Sequence, residues 1–165
     1  MKLAKWIQSK PVMLGLAVLC LTLALVQVLR PRGEAGVSHA YYWDLGSGEL
    51  FIAPLAIAPI EAPSGAGQGV LAMVFSCGQC DERSRFVAWL EQHNEAARQM
   101  IQAGNRDDPR YQEVVAAGHQ IAAPPAPGTE PQWIASQSPQ AAAVMKAGTG
   151  RCPRPQLCTP GPAGG

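Results

Sequence analysis

No G-x-S-x-G, H-E-x-x-H or phosphate-binding-loop pattern occurs in this chain of 165 residues. Its motifs therefore announce neither a serine hydrolase, a zinc peptidase nor a P-loop enzyme. C-x-x-C-H is missing too, because Asp81 follows Cys80, and a c-type haem is excluded by that rule. Positive charge is scarce where a nucleic acid would need it. Beyond residue 33, eight basic residues stand against twelve acidic ones, a balance of −4. A surface tracking a phosphate backbone is not expected, and nucleic acid is not a partner. Histidine is rare: His39, His93 and His119 are scattered, and none lies at ligand spacing from a cysteine.

Glycine (17 residues) and proline (15) are plentiful instead, many of them in the last third, which argues for one modest domain with appendages. Pro11–Leu29 is an uncharged run. As a helix it would extend about 28 Å, close to the ~30 Å of a hydrocarbon layer. Trp6 lies at its near boundary, and Lys2, Lys5 and Lys10 precede it. A cleaved signal peptide fits less well, because its apolar region would be shorter and the Ser38-His39-Ala40 triplet lies past Arg30 and Arg32. The expectation is a signal anchor with residues 1–10 cytoplasmic, 11–29 transmembrane, 30–38 a spacer and the remainder extracytoplasmic. The location would be the bacterial inner membrane, facing the periplasm. The partners would be the membrane itself, through Pro11–Leu29, and a protein of the envelope.

Residues 39–123 read as a small α+β domain: an antiparallel sheet of about three strands covered by two helices. Ala40–Leu45 and Glu49–Ala53 flank Gly46-Ser47-Gly48 as a hairpin, with Tyr41 and Trp43 on one face and Tyr42 on the other. Pro54–Gly69 is an irregular connector. Gly69–Phe75 is a central strand, and three strands make a sheet plausible. A helix is expected from Asp81 to Ala103, with Phe86, Leu90, Ala97 and Ile101 as its apolar stripe and Gly104 as its stop. Glu91 and Glu95 would share its solvated face, where a general acid–base role is the weaker reading. A second helix is expected from an Asp108 N-cap and Pro109 to about Ala122 or Ala123, weakened by Gly118. Residues 124–165 form a Pro/Gly-rich extension. In it Trp133 and Ile134 dock back, Ser138-Pro139 starts a short helix ending at Gly148, and a patternless tail carries two cysteines.

The segments Tyr41–Phe51 (Y-Y-W-D-L-G-S-G-E-L-F), Phe75–Cys80 (F-S-C-G-Q-C), Arg85–Glu91 (R-F-V-A-W-L-E), Trp133–Pro139 (W-I-A-S-Q-S-P) and Arg151–Pro153 (R-C-P) are similar to a group of uncharacterised single-pass membrane proteins of planctomycete-type bacteria. The resemblance spans roughly residues 35 to 158. It implies lineage and topology and carries no activity with it.

Cys77, Cys80, Cys152 and Cys158 admit three readings. Four cysteines in an oxidising compartment can form two disulfides in three pairings, two of which fasten the tail to the domain while the third links each pair locally. A strand, then C-x-x-C, then a helix is the local layout of thioredoxin-like proteins. There Cys77 would be the catalytic nucleophile and Cys80 the resolving thiol. Against this, Ser76 rather than an aromatic precedes Cys77, and Asp81 and Glu82 oppose a thiolate. Four thiolates could also hold zinc, although C-x5-C is wider than usual. The preferred reading is a disulfide-stabilised structural or interaction domain without a cofactor. A membrane-tethered thiol oxidoreductase and a zinc-binding domain are the alternatives.

Overall fold

The computed structural model describes Cys20 and residues 39–65, 67–126 and 129–161. Cys20 apart, these belong to the second of the two units into which the chain divides, Val37–Gly165. Among the described residues no helix is long and apolar enough to cross a membrane. The longest of them, Pro139–Thr149, has 11 residues. That is about 16 Å of helix against a hydrocarbon layer of about 30 Å. The span expected at Pro11–Leu29 falls, Cys20 excepted, outside the described residues. The expectations that rested on it are corrected accordingly. A signal anchor, a single-pass inner-membrane topology, the membrane as partner, and an affinity with single-pass membrane proteins have no support in the structure.

Among the described residues eight strands form one open sheet, not the expected three. They are β1 (His39–Asp44), β2 (Leu50–Pro54), β3 (Ile60–Glu61), β4 (Gln68–Ser76), β5 (Arg85–His93), β6 (His119–Ala122), β7 (Ile134–Ala135) and β8 (Gln156–Leu157). The spatial order is β2-β1-β4-β5-β6-β7, and every pairing is antiparallel. The uncharged β4 is the axis. Leu71 faces Tyr42 of β1 on one edge and Glu91 of β5 on the other. Further along, Phe75 pairs with both Phe86 of β5 and Leu157 of β8, so β8 continues the β1 edge. Gly69 pairs with both Asp44 and Ile60, so β3 continues the β5 edge.

The β1–β2 hairpin forms where its residues demand it. Asp44 is buried, and its Oδ1 accepts hydrogen bonds from the Gly46 and Ser47 N–H groups, while Gly48 takes φ +73°. Strand alternation then builds a core on both faces of the sheet. Tyr41, Val70, Ala72, Val74, Leu90 and Cys158 pack on one face. Ala88, Trp89, Ile121 and Ala141 pack on the other, with Ala40, Tyr42 and Ala58 in a neighbouring cluster.

Three helices are described: α1 (Glu95–Gln102), α2 (Tyr111–Gly118) and α3 (Pro139–Thr149). α3 starts at Ser138, whose hydroxyl accepts from the Ala141 N–H, with Pro139 at its first turn. It covers β5 through Ala141, Val144 and Met145. α1 and α2 pack on each other beyond the end of β5.

The long helix expected over Asp81–Ala103 is in fact a strand followed by a short helix. Its supposed apolar stripe is shared between the two faces of the sheet: Phe86 belongs to one cluster and Leu90 to the other. A β-bulge makes this possible. Met73 pairs with Trp89 and Val74 with Val87, which leaves Ala88 as the extra residue. The inward parity of β5 changes there, so Ala88, Trp89 and Leu90 are buried in succession. The second expected helix is also shorter. Arg110, not Asp108, precedes α2, and the chain turns extended at His119 (ψ 124°) to enter β6.

Candidate functional site

The C-x-x-C pair does not head a helix. It lies in the loop between β4 and β5, and each thiol is joined to the tail: Cys77 to Cys152 and Cys80 to Cys158. The Cα separations of 5.7 and 5.5 Å fall in the middle of the disulfide range. Buried Ser76 organises the loop by donating to the Gln79 carbonyl at 2.8 Å and accepting from the Gly78 N–H at 3.1 Å. Asp81 accepts from the Ser84 and Arg83 N–H groups, each at 2.9 Å. Hydrogen bonds from the Ser84 backbone and hydroxyl, then from Arg83, hold the Asp81 carboxyl below its ordinary value. On the tail side, β8 pairs with Phe75 and Ser76, and the Cys158 N–H donates to the Val74 carbonyl at 2.8 Å.

Both alternatives built on these cysteines are thereby corrected. A dithiol oxidoreductase needs a free nucleophile at a helix N-terminus, and Cys77 and Cys80 have neither property. A zinc site from Cys77, Cys80, Cys152 and Cys158 needs four thiolates, and all four sulfurs are in covalent links. Among the described residues no group of three or more His, Cys, Asp or Glu side chains could hold a metal ion.

A different constellation gathers on β5 and β6. His93 faces His119 across the ladder, and Glu91 lies two residues before His93 on the same face. Trp89 Nε1–H donates to Glu91 Oε1 at 2.7 Å, and His119 Nε2 meets Glu91 Oε2 at 3.2 Å. An ionised carboxylate only accepts, so His119 carries its proton on Nε2 in this contact. The two imidazoles stack with ring centroids 5.1 Å apart at 24°. Burial, and then the charge on neighbouring His119, push the His93 pKa below the ordinary imidazole value, while Glu91 acts in the opposite direction. Among the described residues neither ring nitrogen of His93 has a hydrogen-bond partner, and no Ser, Thr or Cys side chain is hydrogen-bonded to either imidazole.

Glu91, His93 and His119 border a cavity of about 300 Å³ whose other walls are Gln92, Leu71 and the apolar segment Leu55–Ala58. That segment is pinned from below by Tyr42, which is fully buried. Its hydroxyl accepts from the Ala56 N–H at 2.9 Å and donates to the Ala56 carbonyl at 3.0 Å. One apolar wall is thus held rigidly against a polar rim.

A helical reading of residues 81–103 could not bring this site together. It placed Glu91 and Glu95 on one surface, whereas Glu91 is in a strand and Glu95 starts α1, bonded to Arg98 and Gln99. The alternation Trp89-x-Glu91-x-His93 was the available signal. His119, a long way off in sequence, carried none. The chain matches no protein-family model, no curated protein and no solved structure.

Proposed function

We propose that the chain is a non-catalytic binding module, a sheet clamped by disulfides that takes up a small ligand beside Glu91, His93 and His119. The ligand would be a short apolar molecule, or an apolar side chain, carrying one hydroxyl or amide. One observation carries this reading: an apolar cavity of about 300 Å³ with Glu91, hydrogen-bonded to His119, and the His93 imidazole at its rim. Such a combination of apolar walls and a few converging polar groups is how small-ligand sites are built. The neutral His93 ring offers one donor and one acceptor, the match for a hydroxyl or a primary amide. Glu91 has both oxygens engaged, so it orients His119 and leaves recognition to His93.

The test is heteronuclear NMR of the full chain with benzyl alcohol and benzamide as probes and toluene as the apolar control. Binding should move the amides of residues 55–58 and the ring signals of His93 and His119, with both polar probes tighter than toluene. His93→Phe preserves a stacked ring and removes both polar nitrogens, so it should erase that preference. No shift at these residues, or equal response to all three probes in both proteins, would count against the reading.

A further inference from the structure

The two disulfides are unequal in a way that bears on how the tail is held. Cys77 and Cys80 are exposed, Cys152 is half-buried, and Cys158 is only 4% exposed, packed in the core beside Val74 and Leu90. An external thiol therefore reaches the Cys77–Cys152 link, while one end of the Cys80–Cys158 link is shielded. Apart from these links the tail is held by the short β8 pairing with β4 and by the Cys158 N–H bond to the Val74 carbonyl. β8 is two residues long, both exposed, and the Arg151 guanidinium lies over the Phe86 ring at 4.9 Å.

We infer that the C-x-x-C pair is a redox release for the tail, in which reduction of the outer disulfide passes on to the inner one. A dithiol reductant attacks the exposed Cys77 sulfur, Cys152 leaves as a thiolate that takes up a proton, and the second thiol of the reductant resolves the mixed disulfide, releasing Cys77 as a thiolate. Two electrons have entered, the reductant holds its own disulfide, and Cys152 is a thiol. The Cys77 thiolate then attacks the sulfur of Cys80, its neighbour in the same loop. The Cys77–Cys80 bond forms as the Cys80–Cys158 bond breaks, and Cys158 leaves as a thiolate that takes up a proton. The second step moves no net electrons, since one disulfide replaces another. One two-electron reduction thus frees both tethers, because both anchors sit in one loop and both released ends in one tail. The edge of β4 at Phe75 and Ser76 is then uncovered.

The experiment uses the full chain in a Cys20→Ser background, which removes the exposed free thiol. Cys152→Ser leaves Cys77 as a free thiol without any reductant. At pH 8, followed by alkylation and peptide mapping, it should show Cys77 joined to Cys80 and Cys158 alkylated, with loss of hydrogen-exchange protection at the Cys158 amide. A map with Cys80–Cys158 intact and Cys77 alkylated overturns the proposal. Cys77→Ser removes the attacking sulfur, so Cys158 should stay unalkylated, and its alkylation there would likewise overturn it. Should Cys152→Ser fail to fold, titrating the parent protein with dithiothreitol decides. The first intermediate should be alkylated at Cys152 and Cys158, and one alkylated at Cys77 and Cys152 refutes the relay.

Discussion

Removing the disulfides in pairs should produce a cost larger than the sum of its parts. Either link alone closes a ring spanning a sequence separation of 75 or 78. In the chain-entropy account a ring of that size contributes about 4.5 kcal/mol. The second link adds far less. Once one is in place, the other closes only the short circuit through the loop from Cys77 to Cys80 and the tail from Cys152 to Cys158. A ring of roughly ten residues contributes about 2.7 kcal/mol. Cys77→Ala with Cys152→Ala should therefore cost about 2.7 kcal/mol, and removing all four cysteines about 7 kcal/mol, an excess of about 2 kcal/mol over two single losses. The inner pair should fall somewhat further than the outer, because Cys158 also fills the core. Guanidinium unfolding of the parent, the two pair variants and the four-fold variant measures all of these values. Costs near 4.5 kcal/mol for each pair, or strict additivity, would refute the picture of two links sharing one loop and one tail. A loss of about 7 kcal/mol approaches the whole stability of a domain of this size, so the four-fold variant should be largely unfolded in water.

Leu90 is fully buried, and Leu90→Ala should cost about 2–5 kcal/mol by chemical denaturation. A value under about 1 kcal/mol would place this residue outside the core. Gly118 lies where a Cβ would run into the Ala97 Cβ and the Asn94 Oδ1, so Gly118→Ala should destabilise by roughly 1–3 kcal/mol despite its gain in helix propensity. A stabilised variant would contradict the close approach of α1 and α2. Asn94 caps α1 by accepting from the Ala97 N–H at 3.0 Å, and Asn94→Ala should cost about 1 kcal/mol. His93 has its pKa lowered, chiefly by burial and then by His119. The unfolded chain binds this proton near pH 6.5 and the folded chain only below that. This contribution to stability is therefore intact above about pH 6.5 and declines as the pH falls through that value toward the folded pKa. A pH series of unfolding midpoints should be flatter for His93→Gln, and an unchanged slope would refute the burial argument.

Some elements follow from local chemistry alone. The β1–β2 hairpin needs only alternating residues around a turn with Asp44 and Gly48, and α3 needs only Ser138-Pro139 ahead of its alanines. β4 is legible because an uncharged run of β-formers, buried on alternate residues, is a central strand in any context. β5 is not legible, for a physical reason. A strand covered on both faces loses strict alternation, and its bulge at Ala88 sends Phe86 and Leu90 to opposite faces although their four-residue spacing matches a helical repeat. β6, β7 and β8 are only two to four residues long, too short to carry a period.

The division follows the range of the interactions. What the sequence by itself determined is local: the turn, the central strand, the capped helix, and four cysteines able to pair in three ways. Tertiary structure decided the rest. The pairing of β4 with both β5 and β8 brings the tail alongside the loop, where the links are Cys77–Cys152 and Cys80–Cys158. The ladder between β5 and β6 places His119 against Glu91 and His93. Neither outcome is written within one turn or one strand of the residues concerned. Each depends on backbone partners far along the chain, and only the assembled sheet supplies them.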